Sequence, residues 1–276
     1  MINSIFLPNE LFYIILSTCD GFERENMRLV CKLFNDFVFD TKTDYPEKYR
    51  EVREIKSIKK LFEYNHKDLI KIYAKNHPSK ADIILRYGCE YGMNDIVEFM
   101  IEKAVPTNRI FPSLDRNNGM SGACRSGHID IVKLMIENGA NDWNWGMYNA
   151  CCGGHINIVK FMIKNGANAW NDGMSGACCG GHIDIVKFMI KNGANAWNGG
   201  MFGACRGGHI DIVKFMIKNG ANAWNWGLRN ACYYKHIDLV KLMIEEALVH
   251  GSPLSDNDVN AAMNSWNGHD LFTKKA

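Results

Sequence analysis

Nowhere in the 276-residue chain do about eighteen apolar residues run together, the length at which a helix spans a bilayer. An excess of one charge is also missing. Lys plus Arg number 32 against 30 Asp plus Glu, which leaves a formal charge of +2 and a pI near 8.0, short of the value above about 9 that marks a nucleic-acid-binding domain. Neither a membrane nor a nucleic acid is therefore an expected partner. No basic n-region opens the sequence, and the apolar run at 11–16 follows Pro8 and Glu10, a poor core for a signal peptide. The expectation is a soluble, cytoplasmic chain whose ten cysteines stay reduced. Catalytic signatures are scarce as well. No Ser/His/Asp arrangement, phosphate-cradling glycine loop or carboxylate pair stands apart from an internal repeat, so neither enzymatic activity nor a cofactor is expected.

What the chain does have is 47% hydrophobic residues, ample for a buried core, and a strict period. His128, His155, His182, His209 and His236 recur every 27 residues, and so do Trp143, Trp170, Trp197 and Trp224. Cys124, Cys151, Cys178, Cys205 and Cys232 keep the same step. Fainter copies precede them: Asp95-Ile96-Val97 and Asp68-Leu69-Ile70 are again 27 apart, whereas Asp95 to Asp130 is 35 and encloses Pro106 and Pro112, which reads as a loop insertion.

One unit carries the physics of all. Projected at about 100° per residue, Ile183, Ile185, Val186, Met189 and Ile190 cover one side of a helix, and Asp184, Lys187 and Lys191 the other. Asn192-Gly193 then supplies a left-handed C′ residue to end it. Upstream, residues 174–179 read as a shorter helix of small residues between Gly173 and Gly180-Gly181. Helices this short do not persist alone in water, so each unit has to bury its apolar stripe on its neighbours.

The string Gly181-His182-Ile183-Asp184-Ile185-Val186-Lys187-Phe188-Met189-Ile190-Lys191-Asn192-Gly193-Ala194 resembles the second helix and cap of an ankyrin repeat, and Met174 and Ala177 match that family's first helix. The resemblance implies an all-α, ankyrin-type helical repeat solenoid. Its units have 27 residues against about 33 in the family, and the six missing ones fall where the family has its hairpin finger, so the hairpin loops should be truncated. The family's Thr-Pro-Leu-His signature is replaced by Asp172-Gly173-Met174-Ser175 and its equivalents. Something else must hold that corner, and the tryptophan column is the expected support. The expected organisation is a helical module at 1–45, degenerate repeats with a loop insertion at 46–116, five clear repeats at 117–251 and a degenerate capping repeat at 252–276.

The N-terminal segment breaks the period. Leu7-Pro8-Asn9-Glu10-Leu11, Ile15-Leu16 and Leu29-Val30-Cys31-Lys32 with Phe34 resemble an F-box. That family docks on a Skp1-like adaptor of a cullin-type ubiquitin ligase, so the resemblance assigns the adaptor surface to Leu7, Pro8, Ile15, Leu16, Leu29, Val30 and Cys31. The alternative is a helical cap that closes the solenoid, which would leave a simple scaffold or sequestering protein. An F-box followed by short ankyrin units also resembles proteins of large DNA viruses, which implies the host cytoplasm, a monomer and an unidentified host protein as target.

Cys and His are zinc ligands, and each unit offers both, but at either end of a glycine turn and not converging on one point. The cysteines are expected as small buried hydrophobes, and the histidines as hydrogen-bond donors that order the turn. No metal is expected. Lys133, Lys160, Lys187, Lys214 and Lys241 should form a solvated convex face, moderated by nearby Asp. Variation between near-identical copies is more telling. One position carries Asn118, Trp145, Asp172, Gly199 and Trp226; a second Ser121, Tyr148, Ser175, Phe202 and Arg229; a third Arg125, Cys152, Cys179, Arg206 and Tyr233. By the family resemblance these lie in the loop and short helix that line the concave surface. Aromatic and Arg residues dominate interface energetics, which marks Trp145, Tyr148, Phe202, Arg206, Trp226, Arg229 and Tyr233 as the expected target-binding patch.

Overall fold

A computed structural model describes residues 58–63, 65, 67–104 and 114–252. The F-box-like residues Leu7, Pro8, Ile15, Leu16, Leu29, Val30 and Cys31, the insertion around Pro106 and Pro112, and nearly all of the expected capping repeat lie outside the described residues. The chain divides into two compact units, Met1–Asn76 and His77–Ala276. In the first, residues 58–63 are helical and α1 follows at Lys67–Asn76, with Ile58, Leu61, Phe62 and Ile70 buried.

The second unit is built from helix pairs, and among the described residues it contains no strand. A 3₁₀ turn at Pro78–Lys80 leads into α2 (Ala81–Glu90) and α3 (Asn94–Lys103). The regular pairs are α4 (Arg116–Ser126) with α5 (Ile129–Glu137), α6 (Trp143–Gly153) with α7 (Ile156–Lys164), and α8 (Trp170–Gly180) with α9 (Ile183–Lys191). Two more follow: α10 (Trp197–Gly207) with α11 (Ile210–Lys218), and α12 (Trp224–Tyr233) with α13 (Ile237–Val249). First helices pack on first helices of adjacent pairs, and each also packs on its own second helix.

The second helix behaves as its pattern dictates. In α9, Ile185, Val186 and Met189 are buried while Asp184, Lys187 and Lys191 are exposed. Its end is a Schellman motif. The Ala194 N–H donates to the Met189 carbonyl at 3.0 Å and the Gly193 N–H to the Ile190 carbonyl at 3.0 Å, with Gly193 at φ 108°. The Asn192 side chain adds a bond to the Phe188 carbonyl at 2.7 Å.

The first helix is longer than its small residues suggest. It starts at Trp170, four residues before the expected 174, and the equivalent tryptophans open α6, α10 and α12. Trp-Asn-Asp-Gly therefore forms the first helical turn and not a loop. The helix can start there because its entry is hydrogen-bonded from the unit before. Asn171 Oδ1 accepts the N–H groups of Asn195 at 2.8 Å and Ala196 at 3.0 Å, which lead into α10. Asn117, Asn144 and Asn198 make the same pair of bonds to residues 24 and 25 further on. Two entries have a local cap as well, Asp115 to the Asn118 N–H and Asp142 to the Trp145 N–H, both at 3.0 Å. The later units have Ala169, Ala196 and Ala223 at that position, where the side chain caps nothing, so the Asn ladder carries their entry.

Glycine sets how closely the first helices approach. A Cβ on Gly180 would collide with the Cys152 carbonyl oxygen of the previous unit, as would one on Gly153 with Arg125 and on Gly207 with Cys179. Gly173 sits with its missing Cβ 2.8 Å from Met189 Sδ and 3.5 Å from Cys151 Sγ, so any side chain there would displace the core.

Replacing Asn171 by Ala leaves two N–H groups without their acceptor, and at roughly 0.5–1.5 kcal/mol for each bond the expected loss is about 1–3 kcal/mol. Asn171→Asp keeps an acceptor in the first turn of a helix, where negative charge is favoured, and should lose less than half as much. Urea midpoints of the two variants check this, and equal losses would remove the ladder from its assigned role.

Candidate functional site

The exposed side of the first helices brings the variable positions into register along the stack. Trp145 is 49% exposed on α6 and lies flat on Tyr148, with ring centroids 5.0 Å apart and an interplanar angle of 3°. Burial pushes the Tyr148 phenol up to about 12. Phe202 and Arg206 are exposed on α10, and Trp226, Arg229 and Tyr233 are exposed on α12, Trp226 by 62% and Tyr233 by 80%. Each of the seven anticipated residues thus reaches solvent, Tyr148 in part, and all belong to first helices. The first variable position lies inside the helix and not in a loop, a consequence of the earlier helix start.

Tyr234 belongs to the same group, although the comparison of variable positions does not single it out. The Arg206 guanidinium lies 5.6 Å from its ring centroid, and Tyr233 meets it edge-on at 4.9 Å. Its signal in the sequence is a departure from the repeat: Tyr234-Lys235 stands where the preceding units have Gly207-Gly208, Gly180-Gly181 and Gly153-Gly154. Lys235 takes the left-handed conformation, φ 61°, that glycine provides elsewhere.

The columns that repeat without change have other surroundings. Cys124, Cys151, Cys178 and Cys205 are buried, and burial pushes their thiols up to about 12, which suits packing and not reactivity. Among the described residues no three His, Cys, Asp or Glu side chains gather as metal ligands would. The histidines reach further than their own turn. Nε2 of His155 lies 3.1 Å from the Arg125 carbonyl, His209 is 3.1 Å from Cys179, His236 is 3.1 Å from Arg206 and His128 is 3.2 Å from Glu90. A carbonyl only accepts, so Nε2 carries the hydrogen in each. These bonds join successive units.

The tryptophan column is half-buried in Trp143, Trp170 and Trp197 and 4% exposed in Trp224, which stacks on His250 at 5.1 Å. Trp143 lies beside the cap of its own unit, 3.7 Å from the Cβ position of Gly166. The corner that lacks the proline signature is thus held by asparagine hydrogen bonds, with an indole alongside. Lys133, Lys160, Lys187, Lys214 and Lys241 are exposed on the second helices, and Lys133 pairs with Asp130 at 3.5 Å. No described helix is long and apolar enough to cross a membrane.

The family model described as ankyrin repeats (3 copies) matches residues 85–172, 122–200, 147–225 and 174–260. The chain belongs to the ankyrin-repeat family. Among solved structures this ankyrin-repeat chain is similar to the human ASB11 ankyrin repeat domain, at 22% identity over 59% of this chain and 82% of that one, with a TM-score of 0.39. No curated protein matches it. Ankyrin repeats are modules of protein–protein interaction, so the repeat region is an interaction scaffold, and some protein is its partner.

If the outward aromatics serve binding and not folding, their loss should barely affect stability. Trp226→Ala should change the urea midpoint by no more than about 0.5 kcal/mol equivalent, whereas Trp224→Ala, two residues away and buried, should cost about 3–5 kcal/mol. A comparable loss at Trp226 would make it a packing residue.

Proposed function

We propose that this ankyrin-repeat chain is a substrate-recruiting adaptor of a Skp1-cullin-F-box type ubiquitin ligase. The face of the first helices holds a target protein, the N-terminal F-box-like segment docks on a Skp1-like adaptor, and other subunits catalyse ubiquitin transfer. The observation that carries the target-binding half is the exposure of large aromatic and Arg side chains at the very positions where the repeats differ. The buried Met, Ala and Cys columns, such as Met147, Ala150 and Cys151, repeat almost unchanged, as packing demands, while Trp145, Tyr148, Phe202, Arg206, Trp226, Arg229 and Tyr233 vary on the first helices. Exposed tryptophan and tyrosine at this density are costly unless a partner covers them.

The adaptor half is supported by Leu7, Pro8, Ile15, Leu16, Leu29, Val30 and Cys31 and their F-box spacing. The arrangement resembles that of large DNA viruses, which makes a host protein in the cytoplasm the natural target. A sequestering scaffold whose N-terminal helices only cap the stack would use the same face but need no adaptor.

Two measurements separate these readings. Purified chain should retain a Skp1-like adaptor in a pull-down, and changing Leu7 and Pro8 to Ala together should abolish retention; no retention by the unaltered chain leaves the scaffold reading. Partners recovered from host cells should be lost when Trp145 and Trp226 are both changed to Ala, with an affinity drop of at least about 30-fold if each contributes a hot-spot contact. Unchanged recovery would move the target site elsewhere.

A further inference from the structure

The third variable position reads Arg125, Cys152, Cys179, Arg206 in four consecutive units, each at the same register on α4, α6, α8 and α10. Two cysteines therefore stand in successive units, with an arginine at the same register in the unit before and in the unit after. The helices that carry the thiols approach closely here. Cys152 Sγ lies 3.2 Å from the Cβ position of Gly176, one turn before Cys179 on the same side of α8, and the Cys152 carbonyl oxygen meets the bare Cα of Gly180. Cys152 is buried and Cys179 is partly open to solvent.

We infer that this row is a thiol modification site, in which Cys179, the more open of the two thiols, is the nucleophile towards small soft electrophiles, hydrogen peroxide among them, and Cys152 is the neighbour that positions it. The inference does not depend on what the ankyrin face binds.

Charge and hydrogen bonding agree with the geometry. Pairing with the Cys152 thiol lowers the Cys179 thiol below its usual range, with Arg206 and Arg125 adding to the effect against the cost of burial. Cys152 moves the opposite way, through the same pairing and through its burial. The other titratable groups that interact with Cys179 are Tyr148 and the buried Cys178, whose thiol stays protonated at about 12. This is the electropositive, partly exposed setting that makes a cysteine reactive, in contrast to the inert buried column. With peroxide, the Cys179 thiolate attacks one oxygen, an S–O bond forms and the O–O bond breaks. Hydroxide leaves and takes a proton from water's acid pool, and Cys179 is left as a sulfenic acid.

The test uses the full chain, limiting iodoacetamide and a pH series, with modification read by mass spectrometry and fragmentation to separate Cys179 from Cys178. Thiolate sulfur displaces iodide from the methylene carbon, so the rate follows the thiolate fraction. The expected half-maximal rate at Cys179 falls below about pH 7.5, against about 8.5 for an ordinary thiol. Changing Arg125 and Arg206 together to Gln should raise that midpoint by at least about one pH unit. Cys152→Ala should raise it too, and Cys152→Ser, which keeps a donor in a smaller disturbance of packing, should raise it less. Under hydrogen peroxide, dimedone should label Cys179 and leave a Cys179→Ser chain unlabelled at that peptide. A midpoint at or above pH 8.5, an unmoved midpoint in the Arg125/Arg206 variant, or no dimedone adduct on Cys179 would each overturn the assignment.

Discussion

A nine-residue helix such as α9 buries Ile185, Val186 and Met189 on one side and is too short to persist alone in water, where isolated helices need roughly 12–15 residues even to be marginal. Burial between successive units is therefore the condition on which the rest of the repeat region rests. Glycine makes that contact close enough, since Gly153, Gly180 and Gly207 let one first helix lie on the carbonyl oxygens of the previous one. Polar groups then fix its register. Asn171 reaches forward to the next unit through two backbone N–H groups, and His209 reaches back to the Cys179 carbonyl. Stability in such a stack is a sum of neighbour terms, with no single central core.

The second helices were readable from sequence because everything that defines them is local. The apolar spacing, the Asn-Gly cap and the charged outer side all sit within one stretch of chain. The start of the first helices differs from the sequence expectation because the groups that satisfy their entry belong to another unit. Trp170-Asn171-Asp172-Gly173 has the composition of a loop, and only a partner 24 to 25 residues away makes it a helical turn. The Asn column keeps the 27-residue step as faithfully as the histidines do, so its periodicity was visible while its bonding was not. The histidines were expected to order their own turn for the same reason: a bond that spans 30 residues leaves no local trace.

The candidate face was legible for a different cause. In a nearly perfect repeat, a position free to vary is one that packing does not constrain, and Trp145, Phe202 and Trp226 stand out against copies with Asp, Ser or Gly. Tyr234 escaped because it occupies a glycine position, which reads as an element of the turn. The same freedom explains why two cysteines of unlike character share one unit. Cys178 is buried, with its thiol pushed up to about 12, and Cys179, the next residue, is partly open and belongs to the variable row between Cys152 and Arg206.

The asparagine ladder also bears on how such a chain can change. Its bonds always run from one unit to the equivalent atoms of the next, so removing or copying one whole 27-residue period joins like to like and leaves each remaining bond with its usual partner. Unequal crossing-over within the gene can thus lengthen or shorten the stack in single steps, whereas a shift by any other number of residues would strand an asparagine opposite a turn that offers it nothing.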